Sequence, residues 1–119
     1  MLIRVDPARD TPLADQIAAA VRRGIADGAA PPGMRLPAAR ELAASLQVSM
    51  HTVLAGYQQL RDEGLIELRR GRGAIVSDSA RPGKAALLEL TRELVTAARR
   101  LGLDEDELVG LVREAARAS

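Results

Sequence analysis

The sequence predicts a mainly α-helical chain with one small β-hairpin, and three observations lead there. Apolar residues recur at intervals of three and four over five separate stretches, as in helices with one face turned inward. Two of those stretches are short and stand only Gln47, Val48 and Ser49 apart. Further on, Leu65, Ile66 and Leu68 precede RRGRG at positions 69 to 73, and Ala74, Ile75 and Val76 follow it, which reads as two strands joined by a charged turn.

In chain order, Thr11 reads as an N-cap with Pro12 at the first helical position, and Leu13, Ile17, Val21 and Ile25 follow at four-residue spacing to a stop near Gly28. The prolines of AAPPGMRLP exclude a helix there and leave a loop with a brief extended piece at Met34 to Leu36. A short helix begins after Pro37, with Ala39, Leu42, Ala43 and Leu46 on one side. Ser49 is placed to cap a third helix, whose inward stripe is Val53, Gly56, Tyr57 and Leu60 and whose stop is Gly64. Two short helices joined by so tight a turn have the geometry of a helix-turn-helix, and a hairpin directly behind them makes it a winged helix.

The hairpin tip and the third helix carry the chemistry. Glycines at 71 and 73 let the tip turn at positive φ and come close to a surface. Arg69, Arg70 and Arg72 lie in a stretch free of acids between Glu67 and Asp78, and arginines so placed suit phosphates or a narrow minor groove. A solvated basic turn is the bland reading, and the helix-turn-helix before it argues against that. On the third helix His51, Ala55 and Gln58 face away from the stripe, flanked by Thr52 and Leu54, a small and polar surface able to enter a major groove. Ser49 has two compatible readings, a plain cap or a cap that also meets a phosphate. His51 is either a base reader or an idle surface residue. Tyr57 reads as a core residue whose hydroxyl emerges at the rim, in preference to a base-stacking group. Arg40 points to DNA or pairs with Glu41 or Asp62, the first being favoured, and Arg35 stays open between the two.

Composition narrows the rest. The chain has 119 residues, the size of one domain, and 47% of them are hydrophobic, which argues against general disorder. No long apolar run is present, and Asp6 and Asp10 stand where a signal peptide would have its apolar core, so a cytoplasmic protein with no membrane partner is expected. The absence of cysteine and the single histidine exclude the usual zinc sites, and no metal or cofactor is expected. Tyr57 is the one aromatic residue, so stacking of unpaired bases has almost nothing to work with. A net charge of +1 says little, and the distribution of charge has to carry the case for nucleic acid. No nucleophile and base are placed to cooperate, so no enzyme is expected.

The segment from Pro12 to Val76 resembles the winged helix of the GntR family of bacterial transcriptional regulators, with PPGMRLPAARELA, the turn residues QVS, the EGLIE step and the RRGRG wing in the family's order. The resemblance implies a sequence-specific regulator, in the repressor sense, that binds a pseudo-palindromic double-stranded operator as a homodimer. Its DNA contacts would fall on Arg40, Ser49, Met50, His51, Thr52, Arg70, Gly71 and Arg72, to which the residue-level reading adds Arg35 and Tyr57. The sequence departs from the family's commonest pattern at Met50 and Leu54, where many members carry arginines that read the operator.

Residues 1–79 are thus expected to form the DNA-binding domain and 80–119 a helical tail. From Ala85 onward Leu87, Leu90, Leu94, Ala98 and Leu101 alternate at three and four, and Gly102 closes that helix. Asp104 and Glu107 then read as a capping box with Leu103 against Leu108 as a staple, and Leu108, Leu111, Val112 and Ala115 form the next apolar face. Two helices of this size cannot bury both stripes against each other, so they are expected to pack on the same pair of a second subunit. The short tail resembles the YtrA-type branch of the family, which lacks a large effector domain. It leaves little room for a deep pocket, so an unknown small-molecule effector would have a dimer seam as its site. A winged helix serving only as a protein-interaction module is the rival reading, and the basic wing argues against it.

Overall fold

The computed structural model describes residues 1–119. It contains α1 (Leu13–Ala26), α2 (Ala39–Leu46), α3 (Met50–Asp62), β1 (Ile66–Arg69), β2 (Gly73–Val76), α4 (Pro82–Arg100) and α5 (Glu105–Ala118). The chain divides into two compact units, Met1–Leu87 and Leu88–Ser119, and α4 runs from one into the other. No helix is long and apolar enough to cross a membrane.

The core of the first unit gathers the predicted stripes. Ile17, Val21 and Ile25 of α1, Leu42 and Ala43 of α2, and Val53, Tyr57 and Leu60 of α3 are buried together with Leu36, Leu65, Ile66, Ala74 and Val76. Each large side chain so buried stabilises the fold by roughly 1.5–3 kcal/mol. Ile3, ahead of the helices, joins this core.

The start of α1 differs from expectation by one residue. Pro12, at ψ 144°, is itself the N-cap, and no side chain caps the helix there. Thr11 lies one position too early, and the entry is held by Gln16 instead. The buried amide of Gln16 donates to the Thr11 carbonyl at 2.8 Å and the Asp6 carbonyl at 3.0 Å, and its oxygen accepts from the Asp6 amide at 2.7 Å. A side chain on the second turn thus does the tying that the sequence assigned to Thr11.

Two features fix α3 against α1. At Gly56 an added Cβ would stand 2.8 Å from the Ala14 carbonyl oxygen and 3.2 Å from Ile17 Cγ2, so the helices touch almost backbone to backbone. Beside that contact the Arg22 guanidinium, 1% exposed, donates to Glu63 through Nε at 2.8 Å and Nη2 at 3.1 Å. Its Nη2 also donates to Gln59 Oε1, while Gln59 Nε2 donates to Asp15 Oδ1 at 3.0 Å. A buried arginine is tolerated only when its donors are met, and here Gln59 of α3 and Glu63 at its C-cap accept from it.

The turn between α2 and α3 is closed by Gln47, the one non-glycine residue at positive φ, at 56°, with the Val48 amide bonded back to the Ala43 carbonyl at 3.0 Å. Ser49 caps α3 as expected, accepting from the Thr52 amide at 3.1 Å. The hairpin is antiparallel, with Ile66 opposite Val76 and Arg69 opposite Gly73. Its loop is therefore residues 70–72, shorter than the five-residue tip expected. The extended piece before α2 lies along the other edge of β2: Gly33 and Leu36 donate to Val76 and Ala74, Val76 donates to Met34, all at 2.9 Å, and Arg35 faces Ile75. The wing is thus attached to the chain that enters the helix-turn-helix.

In the second unit α4 ends at Arg100, and Gly102, φ 76°, turns the chain just beyond it, with the Leu103 amide on the Ala98 carbonyl at 3.0 Å. The capping box of α5 is present: Asp104 accepts from the Glu107 amide at 2.8 Å, and Glu107 accepts from the Asp104 amide at 3.1 Å. No residue of α5 is buried.

Gly56→Ala is expected to destabilise the chain by about 1–3 kcal/mol despite alanine's better helix propensity, because the methyl meets a backbone oxygen and not a movable side chain. Urea unfolding of the parent and the variant measures it. Equal stability would mean that the α1–α3 approach is not tight.

Candidate nucleic-acid interface

The first turn of α3 presents its amides at the end of the helix where partial positive charge collects, which suits a phosphate. The Ser49 and Thr52 hydroxyls lie 2.9 Å apart and bond to each other, so the cap is a closed pair with Thr52 half-buried. Met50, His51, Leu54 and Ala55 are exposed after it. Gln58 is exposed too, but it donates to Asp62 at 3.2 Å and accepts from Arg61 at 3.5 Å. The outward face is therefore the one drawn from the sequence, with its polar reach concentrated at the N-terminal turn.

Arg40 of α2 is exposed and makes no ion pair, with Glu41 or with Asp62. At the wing the three arginines separate. Arg69 is held by Glu67 on its own strand at 2.9 Å, a surface pair of small worth that nonetheless occupies the guanidinium. Arg70 and Arg72 are exposed, and neither side chain has an ion partner. The Arg72 amide bonds to the Arg69 carbonyl at 3.0 Å, and Gly71 holds φ 78° at the third position of that turn, a conformation that strains any side chain.

Arg35 and Tyr57 support the site from behind. Arg35 Nε donates to the Arg72 carbonyl at 3.0 Å, so its cation braces the wing tip, a role the sequence did not suggest. The Tyr57 hydroxyl does not emerge at the rim. Tyr57 is 1% exposed, and its hydroxyl donates to the Pro37 carbonyl at 2.7 Å, which ties α3 to the start of α2 and removes the ring from any surface a base could reach. Burial raises its pKa above the ordinary phenol value and keeps it a donor.

Gly71, Arg72 and Gly73 of the wing line one cleft with Arg35, Ala38 and Glu41. The wing tip is thus close to the beginning of α2. The Arg22 network, which orients α3, was missed in the sequence although a signal existed: Arg22 is four residues after Ala18 and three before Ile25, on the buried side of α1. Of the residues expected to hold subunits together, Leu87, Leu90, Leu94, Leu101, Leu111 and Val112 are exposed and Leu108 is half-buried.

Comparison with known proteins adds the family. Residues 13–76 match the model of the gntR family of bacterial regulatory proteins. The chain is 38% identical over 105 residues to an HTH-type transcriptional regulator of Mycobacterium tuberculosis, a match over 88% of this chain and 86% of that one. It is 32% identical over 118 residues to the HTH-type transcriptional repressor YtrA of Bacillus subtilis, covering 95% and 91%. Among solved structures it resembles YtrA from Sulfolobus acidocaldarius, a GntR-family transcription factor, at 36% identity and TM-score 0.61 over 80% of this chain and 99% of that one. These matches set aside both an enzyme and a bare interaction module, and with the capped third helix and the basic wing they place the chain in the GntR family as a DNA-binding transcriptional regulator.

Proposed function

We propose that the chain acts in the cytoplasm as a homodimeric repressor on a pseudo-palindromic operator, with residues 1–79 as the reading domain and residues 80–119 as the dimerisation tail. The N-terminal turn of α3 enters the major groove with Ser49, Met50, His51 and Thr52, while Arg40 neutralises phosphate. The wing places Arg70, Gly71 and Arg72 at the backbone or in the minor groove. The observation that carries this reading is the set of exposed arginines without ion partners, Arg40, Arg70 and Arg72, in the unit that presents a capped helix with its outer face bare. Arginines left unpaired in a chain with 16 acids to 17 bases are available to phosphates, and phosphate contact supplies a large share of the affinity of such complexes.

The dimer is supported by the tail. Leu90 is 60% exposed, Leu101 79% and Leu111 54%, and apolar faces of this kind call for cover. A second copy supplies it with matching stripes, including Leu87, Leu94, Leu108 and Val112, and holds two recognition helices about one DNA turn apart. The repressor assignment follows from the likeness to the Bacillus subtilis transcriptional repressor. A small-molecule effector would bind along the subunit seam.

Arg72→Ala should weaken binding to all duplexes alike and lower the slope of log affinity against log salt by about one unit. Titrations at several salt concentrations test it, and an unchanged slope would take the wing out of the contact. His51→Ala should instead alter which operator variants bind best, at roughly 1–3 kcal/mol at the affected base pair. Selection of preferred sequences with both proteins decides, identical preferences counting against His51. The pair Leu90→Glu and Leu94→Glu, both at exposed positions, should give a folded monomer whose affinity for a full operator falls about a hundredfold or more. Sedimentation together with titration reads both, and a dimer of full affinity would move the subunit contact elsewhere.

A further inference from the structure

The outer face of α3 holds an apolar pair that phosphate contact does not explain. Met50 and Leu54 lie one helical turn apart, are 42% and 40% exposed, and are the only large apolar side chains that α3 leaves in solvent. The inward stripe is complete without them, since Val53, Gly56, Tyr57 and Leu60 are the buried residues of this helix. Ala55, also exposed, extends the patch. Apart from His51, the polar groups around it are already engaged: Ser49 and Thr52 bond to each other, and Gln58 is held by Asp62 and Arg61. The unpaired Arg40, Arg70 and Arg72 in the same unit make a polyanion the fitting occupant of this face, in preference to a second apolar surface.

Within a major groove only one base presents an apolar group, the C5 methyl of thymine. Guanine and cytosine would set acceptors and donors against Met50 and Leu54, where they lose water and gain no hydrogen bond. We infer that Met50 and Leu54 read thymine methyl groups, so that each operator half-site carries A·T pairs whose thymines face these two side chains. The inference rests on the operator reading of the preceding subsection and specifies which base edges it meets.

The test starts with the full chain and a random duplex library, from which a preferred site is selected. That site is then resynthesised with deoxyuridine in place of each thymidine in turn, which removes one methyl and keeps the pairing. Binding should weaken by about fourfold at one or two positions in each half-site and stay unchanged at the others. Met50→Ala and Leu54→Ala, both outside the buried stripe of α3, should each abolish the thymine preference at one of those positions, read as the ratio of the variant's affinities for the thymine and uracil duplexes. A selected site that binds equally with and without its methyls would overturn the inference while leaving the operator reading intact, as would a preference that survives both substitutions. Failure to enrich any sequence would overturn the operator reading itself, and the inference with it.

Discussion

Where α1 crosses α3, the space a side chain on Gly56 would need is taken by the Ala14 carbonyl, and the helices can settle in only one way. Ridges of ordinary side chains would hold them further apart and allow some rotation. Backbone contact removes that freedom, and the Arg22 clamp on Glu63 and Gln59 fixes the roll of α3 about its axis. Burying a guanidinium is expensive, and an apolar side chain of equal volume would stabilise the core as well or better. What the ion pair contributes is direction: it is satisfied in one orientation of α3, the one that leaves Met50, His51 and Leu54 outside.

The wing depends on that arrangement at one remove. Tyr57, oriented by the same helix, bonds to Pro37 and so positions the extended piece between Gly33 and Pro37, which in turn lies along the free edge of β2. Arg35 of that extended piece then braces the Arg72 carbonyl at the tip. A run of contacts thus leads from the α1–α3 crossing to the hairpin loop, and each residue in it is more valuable as support than as a direct contact.

Periodicity and caps made most of the fold legible. Stripes at three and four located α1 to α5, and Ser49, Asp104 and Glu107 marked helix starts because their hydroxyl or carboxylate stands at the required distance along the chain. What stayed hidden depends on partners far apart in sequence. Gln16 replaces Thr11 as the organiser of the α1 entry because it reaches residues folded back over it, and the role of Arg22 went unread because its partners Glu63 and Gln59 lie far along the chain. The wing loop was drawn too long because strand pairing through Arg69 and Gly73 cannot be read from an RRGRG string. At the candidate site the exposed residues were readable from the helical wheel. The difference between Arg69, held by Glu67 two residues back on the same side of β1, and Arg70 and Arg72 of the loop was not, because it depends on where the strand ends.

The unpaired arginines have a kinetic side. In the proposed complex, guanidinium groups held out at Arg40, Arg70 and Arg72 would meet a phosphate on any duplex, whatever its sequence. A regulator that bound in this way would also rest on arbitrary DNA, slide and hop along it, and reach its target by a search confined largely to the chromosome. Occupancy of the operator is then set by the ratio of its affinity to that of the genome's many competing sites, and adding charge to the wing would slow the search without sharpening the choice.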